Sequence, residues 1–183
     1  MSIPNNKDKN KHLRSQAVFE TCIFAMLAAL MFCSKIIMEA LPNIHLLGML
    51  TMTYTVVFRK KALIPIYLYV FLNGLFAGFS TWWIPYLYIW TVLWGITMIL
   101  PENMPKKLKI VIYPIVCSLH GFTFGMLYAP MQAFMFGFDF KQTLAWIAAG
   151  FSFDLIHGIS NFFVGMLIVP LSELLHKLIK NRA

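Results

Sequence analysis

The amino-acid sequence predicts an all-α integral membrane protein with six transmembrane helices and both termini on the cytoplasmic side. Composition is the first observation behind that class. The 183 residues are 60% hydrophobic, 16% aromatic and 12% charged, far from the balance of soluble domains. A soluble fold of this length cannot bury so much apolar surface, whereas lipid accommodates it. Charge placement is the second. Thirteen of the fifteen Lys and Arg residues form four clusters, Lys7/Lys9/Lys11/Arg14, Arg59/Lys60/Lys61, Lys106/Lys107/Lys109 and Lys177/Lys180/Arg182, with Lys35 and Lys141 apart. Basic residues in short loops collect on the cytoplasmic side. Holding all four clusters there requires an even number of crossings between neighbouring clusters, and two per interval makes six.

Each element follows from the need for about 20 mainly apolar residues to cross a bilayer core. Residues 1–17 form a basic cytoplasmic tail, and residues 18–180 form the transmembrane domain. Helix one runs from Val18 to Met38 and is too long for a signal-peptide core, with no small-residue cleavage site after it. Glu39 to Asn43 form an external turn. Helix two, His45 to Phe58, is short, and Arg59-Lys60-Lys61 return it to the inside. Helix three spans Ala62 to Gly78, and helix four spans Pro85 to Leu100. Ser80-Thr81-Trp82-Trp83 lies between them with the paired indoles of an interface belt. Pro101 to Lys107 form an inner loop, followed by helix five from Leu108 to Tyr128. Ala129 to Gln142 is the longest external connection, and helix six occupies the apolar run Leu144–Leu171, ending before Glu173 and entering the membrane near Gly150.

The net charge of +8 is distributed along the edges of spans and makes no single patch, so attraction to anionic lipid explains it better than nucleic acid does. Cys22, Cys33 and Cys117 show neither disulfide nor metal spacing. No cofactor or metal is expected. No G-x-x-x-x-G-K-[ST] loop is present, so the chain cannot itself use ATP. No nucleophile stands beside a recognisable base, which favours a non-enzymatic role.

Ionisable residues inside membrane helices are costly and usually face a cavity. Asp154, His157 and Asn161 are spaced three and four apart on helix six and share one face. His120 on helix five and Asn73 on helix three complete a candidate polar pocket open to the outside. The alternative is an Asp–His pair that only locks helices together, and Asn73, His120 and Asn161 serve equally as interhelical hydrogen-bonding groups. Tyr86, Trp90 and Trp94 form an aromatic stripe on helix four, suited to helix packing or to stacking on a planar ring. Ala25 and Ala29, with Ala28, give helix one a smooth surface. Gly74/Gly78 and Gly121/Gly125 repeat the same small-residue spacing, for which packing inside the molecule is the simpler account.

Six short helices, a segment Ala25-Met-Leu-Ala-Ala-Leu and a polar cluster early in helix six resemble the substrate-binding S component of energy-coupling factor (ECF) vitamin transporters, over Val18 to about Lys180. The resemblance implies a high-affinity pocket near the outer face that includes Trp90, Trp94, His120, Asp154 and His157, with Pro42 and Asn43 in a lid. It implies docking through Ala25, Ala28 and Ala29 onto a transmembrane scaffold subunit that carries two ABC-type ATPases, in a bacterial plasma membrane. The substrate expected is a vitamin-like planar heterocycle able to donate hydrogen bonds or carry positive charge. A small membrane enzyme using Asp154 and His157, a structural membrane protein and a stand-alone facilitator are the competing functions.

Overall fold

The structure, a computed structural model, describes residues 6–41 and 44–180, and all regular structure among them is helical. Helix α1 (Asn6–Met38) is followed by α2 (Leu47–Phe58), a 3-10 turn (Arg59–Ala62), α3 (Leu63–Ala77) and α4 (Tyr86–Ile99). Then come α5 (Lys106–Phe122), α6 (Phe124–Phe136), α7 (Phe140–Gly165) and α8 (Ile168–Lys180). Among the described residues, three stretches are long and apolar enough to cross a membrane: Arg14–Met38, Lys106–Phe136 and Phe140–Gly165.

The bundle exposes large apolar side chains on its outside and buries several polar ones within its apolar core. Met26 and Ile37 on α1, Ile99 on α4 and Phe163 on α7 are exposed, while Asn73, Thr97, His120, Asp154, His157 and Asn161 are buried. A water-soluble domain rarely exposes apolar surface on that scale. Backbone groups in lipid must be satisfied within the protein, and helices do this locally.

The shortness of α2 has a structural reason. Its 12 residues reach only about 18 Å, and Leu47 through Thr55 are all buried. The helix is enclosed by protein, with α4, α8, α5 and α7 among its neighbours. Two of its buried threonines are satisfied locally: the Thr55 hydroxyl donates to the Thr51 carbonyl (2.7 Å) and the Thr53 hydroxyl contacts the Met49 sulfur (3.6 Å). The Tyr54 hydroxyl ties α2 to α1 by donating to the Leu27 carbonyl at 3.1 Å.

Helices α5 and α7 meet along a glycine seam. A Cβ on Gly121 would lie 2.8 Å from the Gly158 Cα, and one on Gly165 would lie 2.9 Å from the Pro114 Cα. Such close backbone approach is the usual benefit of small residues in membrane helices. Across the seam, Ser118 Oγ donates to the Gly158 carbonyl (2.8 Å) and Asn161 Nδ2 to the Cys117 carbonyl (3.3 Å). Asn161 therefore joins helices and does not face a pocket.

Ion pairs tie two of the basic clusters to acidic residues at one end of the bundle. Lys61 meets Glu20 of α1 at 2.6 Å, Arg59 meets Glu102 at 2.8 Å, and Lys106 meets Glu173 of α8 at 2.6 Å. Glu102 belongs to the α4–α5 loop, whose carbonyl at the same residue also accepts from Lys109 at 2.9 Å.

Several sequence-based boundaries are corrected. Helix α1 begins at Asn6, well before Val18. The expected external connection Ala129–Gln142 is almost entirely helical, because α6 continues to Phe136 despite Pro130. The turn contracts to Gly137, in the left-handed conformation at φ 68°, Phe138 and Asp139, which opens α7 with a reciprocal capping box to Gln142. The last helix does not end before Glu173. The chain turns at Met166–Leu167 and stays helical as α8 through Lys180.

Candidate functional site

At the end of the bundle away from the ion pairs, a cavity of about 320 Å³ opens between α1, α2, α3, α4, α6 and α7. Tyr69, Tyr86, Trp90, Phe124, Tyr128, Trp146 and Phe153 supply its aromatic walls, and Lys35, His45, Asp154 and His157 supply its polar ones. Ligand cavities are commonly of this size, mainly apolar with a few convergent polar groups.

A break in the helix ladder positions Asp154. Thr123 separates α5 from α6, its hydroxyl turned back to the Leu119 carbonyl at 2.9 Å. The first N–H groups of a helix have no partner within it. Gly125 N–H, in the first turn of α6, is taken by both Asp154 oxygens, at 3.0 and 3.1 Å. A Cβ at Gly125 would collide with that carboxylate, so the glycine is required by close approach. The positive end of α6 stabilises the negative charge in turn. Asp154 and His157 form no ion pair, so helix locking by such a pair is replaced by capping of α6.

His157 packs one turn along, its ring centroid 5.0 Å from Phe124 and 5.6 Å from His45. Trp90 contacts Tyr86 at 6.0 Å and Phe124 at 6.0 Å, and its buried indole N–H has no hydrogen-bond partner among the described residues. Tyr128 and Trp146 stack at 6.0 Å with an interplanar angle of 18°. Tyr128 donates to the Trp82 carbonyl at 2.6 Å, joining α6 to the α3–α4 connection.

The structure thus brings Asp154, His157, Tyr86 and Trp90 to one cavity. His120 stands behind the wall: its Nε2 contacts the Ile89 carbonyl at 3.2 Å, and its ring lies 5.9 Å from Trp90. Asn73 is fully buried one turn beyond Tyr69 and is not on the cavity surface; neither amide atom has a partner. Trp94 is a correction. Its indole donates to the Arg59 carbonyl at 3.1 Å, at the basic end of the bundle. Eight residues separate Tyr86 from Trp94, a rise of about 12 Å, too far for one pocket to use the whole stripe. Ala28 is also corrected: it is fully buried, whereas Ala25 and Ala29 are exposed. Pro42 and Asn43 lie outside the described residues.

Sequence reasoning missed Lys35, His45, Tyr69, Phe124, Tyr128 and Trp146. Lys35 did carry a signal, as a cation within an apolar helix and outside every basic cluster. The aromatic residues carried none, because nothing in their spacing distinguishes a cavity wall from lipid-facing surface. Among the described residues no group of three or more His, Cys, Asp or Glu is arranged to hold a metal ion. No family model, curated protein or solved structure matches the chain, so the geometry of this cavity is the basis for a functional assignment.

Proposed function

We propose that the protein is a non-enzymatic substrate-capture subunit, an S component, of an ATP-driven ECF-type importer for a vitamin-like planar compound in a bacterial plasma membrane. The observation that carries this proposal is the aromatic cavity with Asp154, His157 and Lys35 at the end opposite the ion-paired basic clusters. Under the positive-inside rule that end faces outward, and six crossings with cytoplasmic termini satisfy all four clusters. Helices α2, α3 and α4, at 12, 15 and 14 residues, are shorter than a bilayer core requires, so in this proposal the residues flanking them must complete their crossings. Energy then comes from a scaffold subunit and two ATPases, docked through the exposed face of α1 at Ala25 and Ala29.

Gentle purification followed by mass spectrometry of released small molecules tests the capture role, and uptake with and without the ATPases tests the coupling. A bound planar compound and ATPase-dependent uptake are expected. Uptake that persists without them identifies a facilitator, and conversion of the compound identifies an enzyme. The capping of α6 by Asp154 favours one second reading, a structural membrane protein whose polar groups only hold helices together. That reading predicts no bound molecule.

A further inference from the structure

We infer that the cavity selects a planar aromatic carboxylate, with Lys35 as the counter-ion of its acid group; this specifies the ligand within the capture role proposed above. The inference follows from which polar groups in the cavity are already engaged. Asp154, the carboxylate on its wall, spends both oxygens on Gly125 N–H at 3.0 and 3.1 Å. Its charge is partly offset there by the positive end of α6, which weakens it as a counter-ion for a cationic ligand. The donors are in the opposite condition. The Trp90 indole N–H is buried with no partner. The hydroxyls of Tyr69 and Tyr86 make no hydrogen bond to any described residue. A ligand group that reaches the indole N–H must be an acceptor.

Lys35 supplies the charge. It is the sole Lys or Arg lining the cavity among the described residues, reaching in from the last turn of α1. Its partner is Glu39, one turn on, at 3.1 Å. The two ends of that pair differ: the Lys35 side chain is 20% exposed and the Glu39 side chain 62%. A pair whose acid stands in water is weak and exchangeable. A ligand carboxylate inside the cavity meets the same ammonium where water is scarcer and the attraction stronger. Glu39 thus holds the place of the ligand acid and is released into water when the ligand arrives. The aromatic walls take the ring, in line with the preference of aromatic faces for edge and offset contacts. This charge sense is the reverse of the cationic ligand expected from Asp154 and the two imidazoles in sequence.

Calorimetric titration of the full chain in lipid nanodiscs tests the inference with matched probes: indole-3-acetate, indole-3-acetamide and tryptamine, and benzoate, benzamide and benzylamine. Acids are expected to bind, amides more weakly, and amines least. Lys35→Gln should weaken acid binding about tenfold or more, as expected for loss of a charge-assisted bond. Lys35→Arg should keep it, which separates a charge effect from a folding defect. Glu39→Gln should tighten it, because the competing acid is gone. Amines binding best, Lys35→Gln binding acids as wild type does, or Glu39→Gln weakening them would overturn the carboxylate assignment while leaving capture of a planar ring intact. Failure of every probe, whatever its charge, would overturn the aromatic-carboxylate assignment, while the capture role stands or falls with the released molecule.

Discussion

Replacing Asp154 with alanine removes the group that holds the first turn of α6 against α7. Both oxygens accept from Gly125 N–H, and Asp154 is 8% exposed. A hydrogen bond involving a charged group contributes about 1.5–3 kcal/mol. For a domain of this size each kcal/mol moves the melting temperature by about 2–4 °C, so Asp154→Ala should lower it by about 3–12 °C. Asparagine keeps an oxygen for the same N–H but loses the charge, and a neutral bond is roughly half as strong. Asp154→Asn should therefore recover about half of the loss. Thermal unfolding of the three proteins in one detergent is the assay. Equal melting temperatures for the alanine and asparagine variants, or an alanine variant as stable as wild type, would refute the capping account.

The glycine seam predicts that Gly121→Val lowers the melting temperature sharply, since even a Cβ would lie 2.8 Å from the Gly158 backbone; overpacking of this kind costs about 1–3 kcal/mol or more. Trp90→Ala should abolish most ligand binding, while Trp94→Phe should spare it and only loosen the tie to Arg59, as titration and thermal unfolding on the same preparations would show. On α1, Ala25→Leu or Ala29→Leu should impair co-purification with the scaffold subunit but leave the monomer stable, whereas Ala28→Leu, at a fully buried position, should destabilise the monomer itself.

The helical class and the long apolar helices were legible because both depend on composition and local charge. Asp154 and His157 were legible because a polar side chain inside an apolar helix is costly wherever it stands. Other features depend on what packs across from a residue, which one sequence does not contain. The stretch 129–142 reads as a connection with alternating phenylalanines, yet Met131, Gln132, Ala133 and Met135 are good helix formers and α6 continues through them. The four-residue stripe on α4 was real, but its length carries Trp94 past the cavity to the Arg59 carbonyl. Lys35 stood out by position alone, and only the fold reveals that α1 brings it to Asp154 and His157.

The outward orientation of the cavity is most directly tested by cysteine accessibility in intact cells. In a background with Cys22, Cys33 and Cys117 replaced, single cysteines at Glu39, Ser80, Lys60 and Lys106 would be treated with a membrane-impermeant maleimide before and after permeabilisation. The account predicts immediate labelling at 39 and 80, and labelling at 60 and 106 only after permeabilisation. Labelling of 60 or 106 in intact cells would contradict it, and capture from the exterior would no longer be possible.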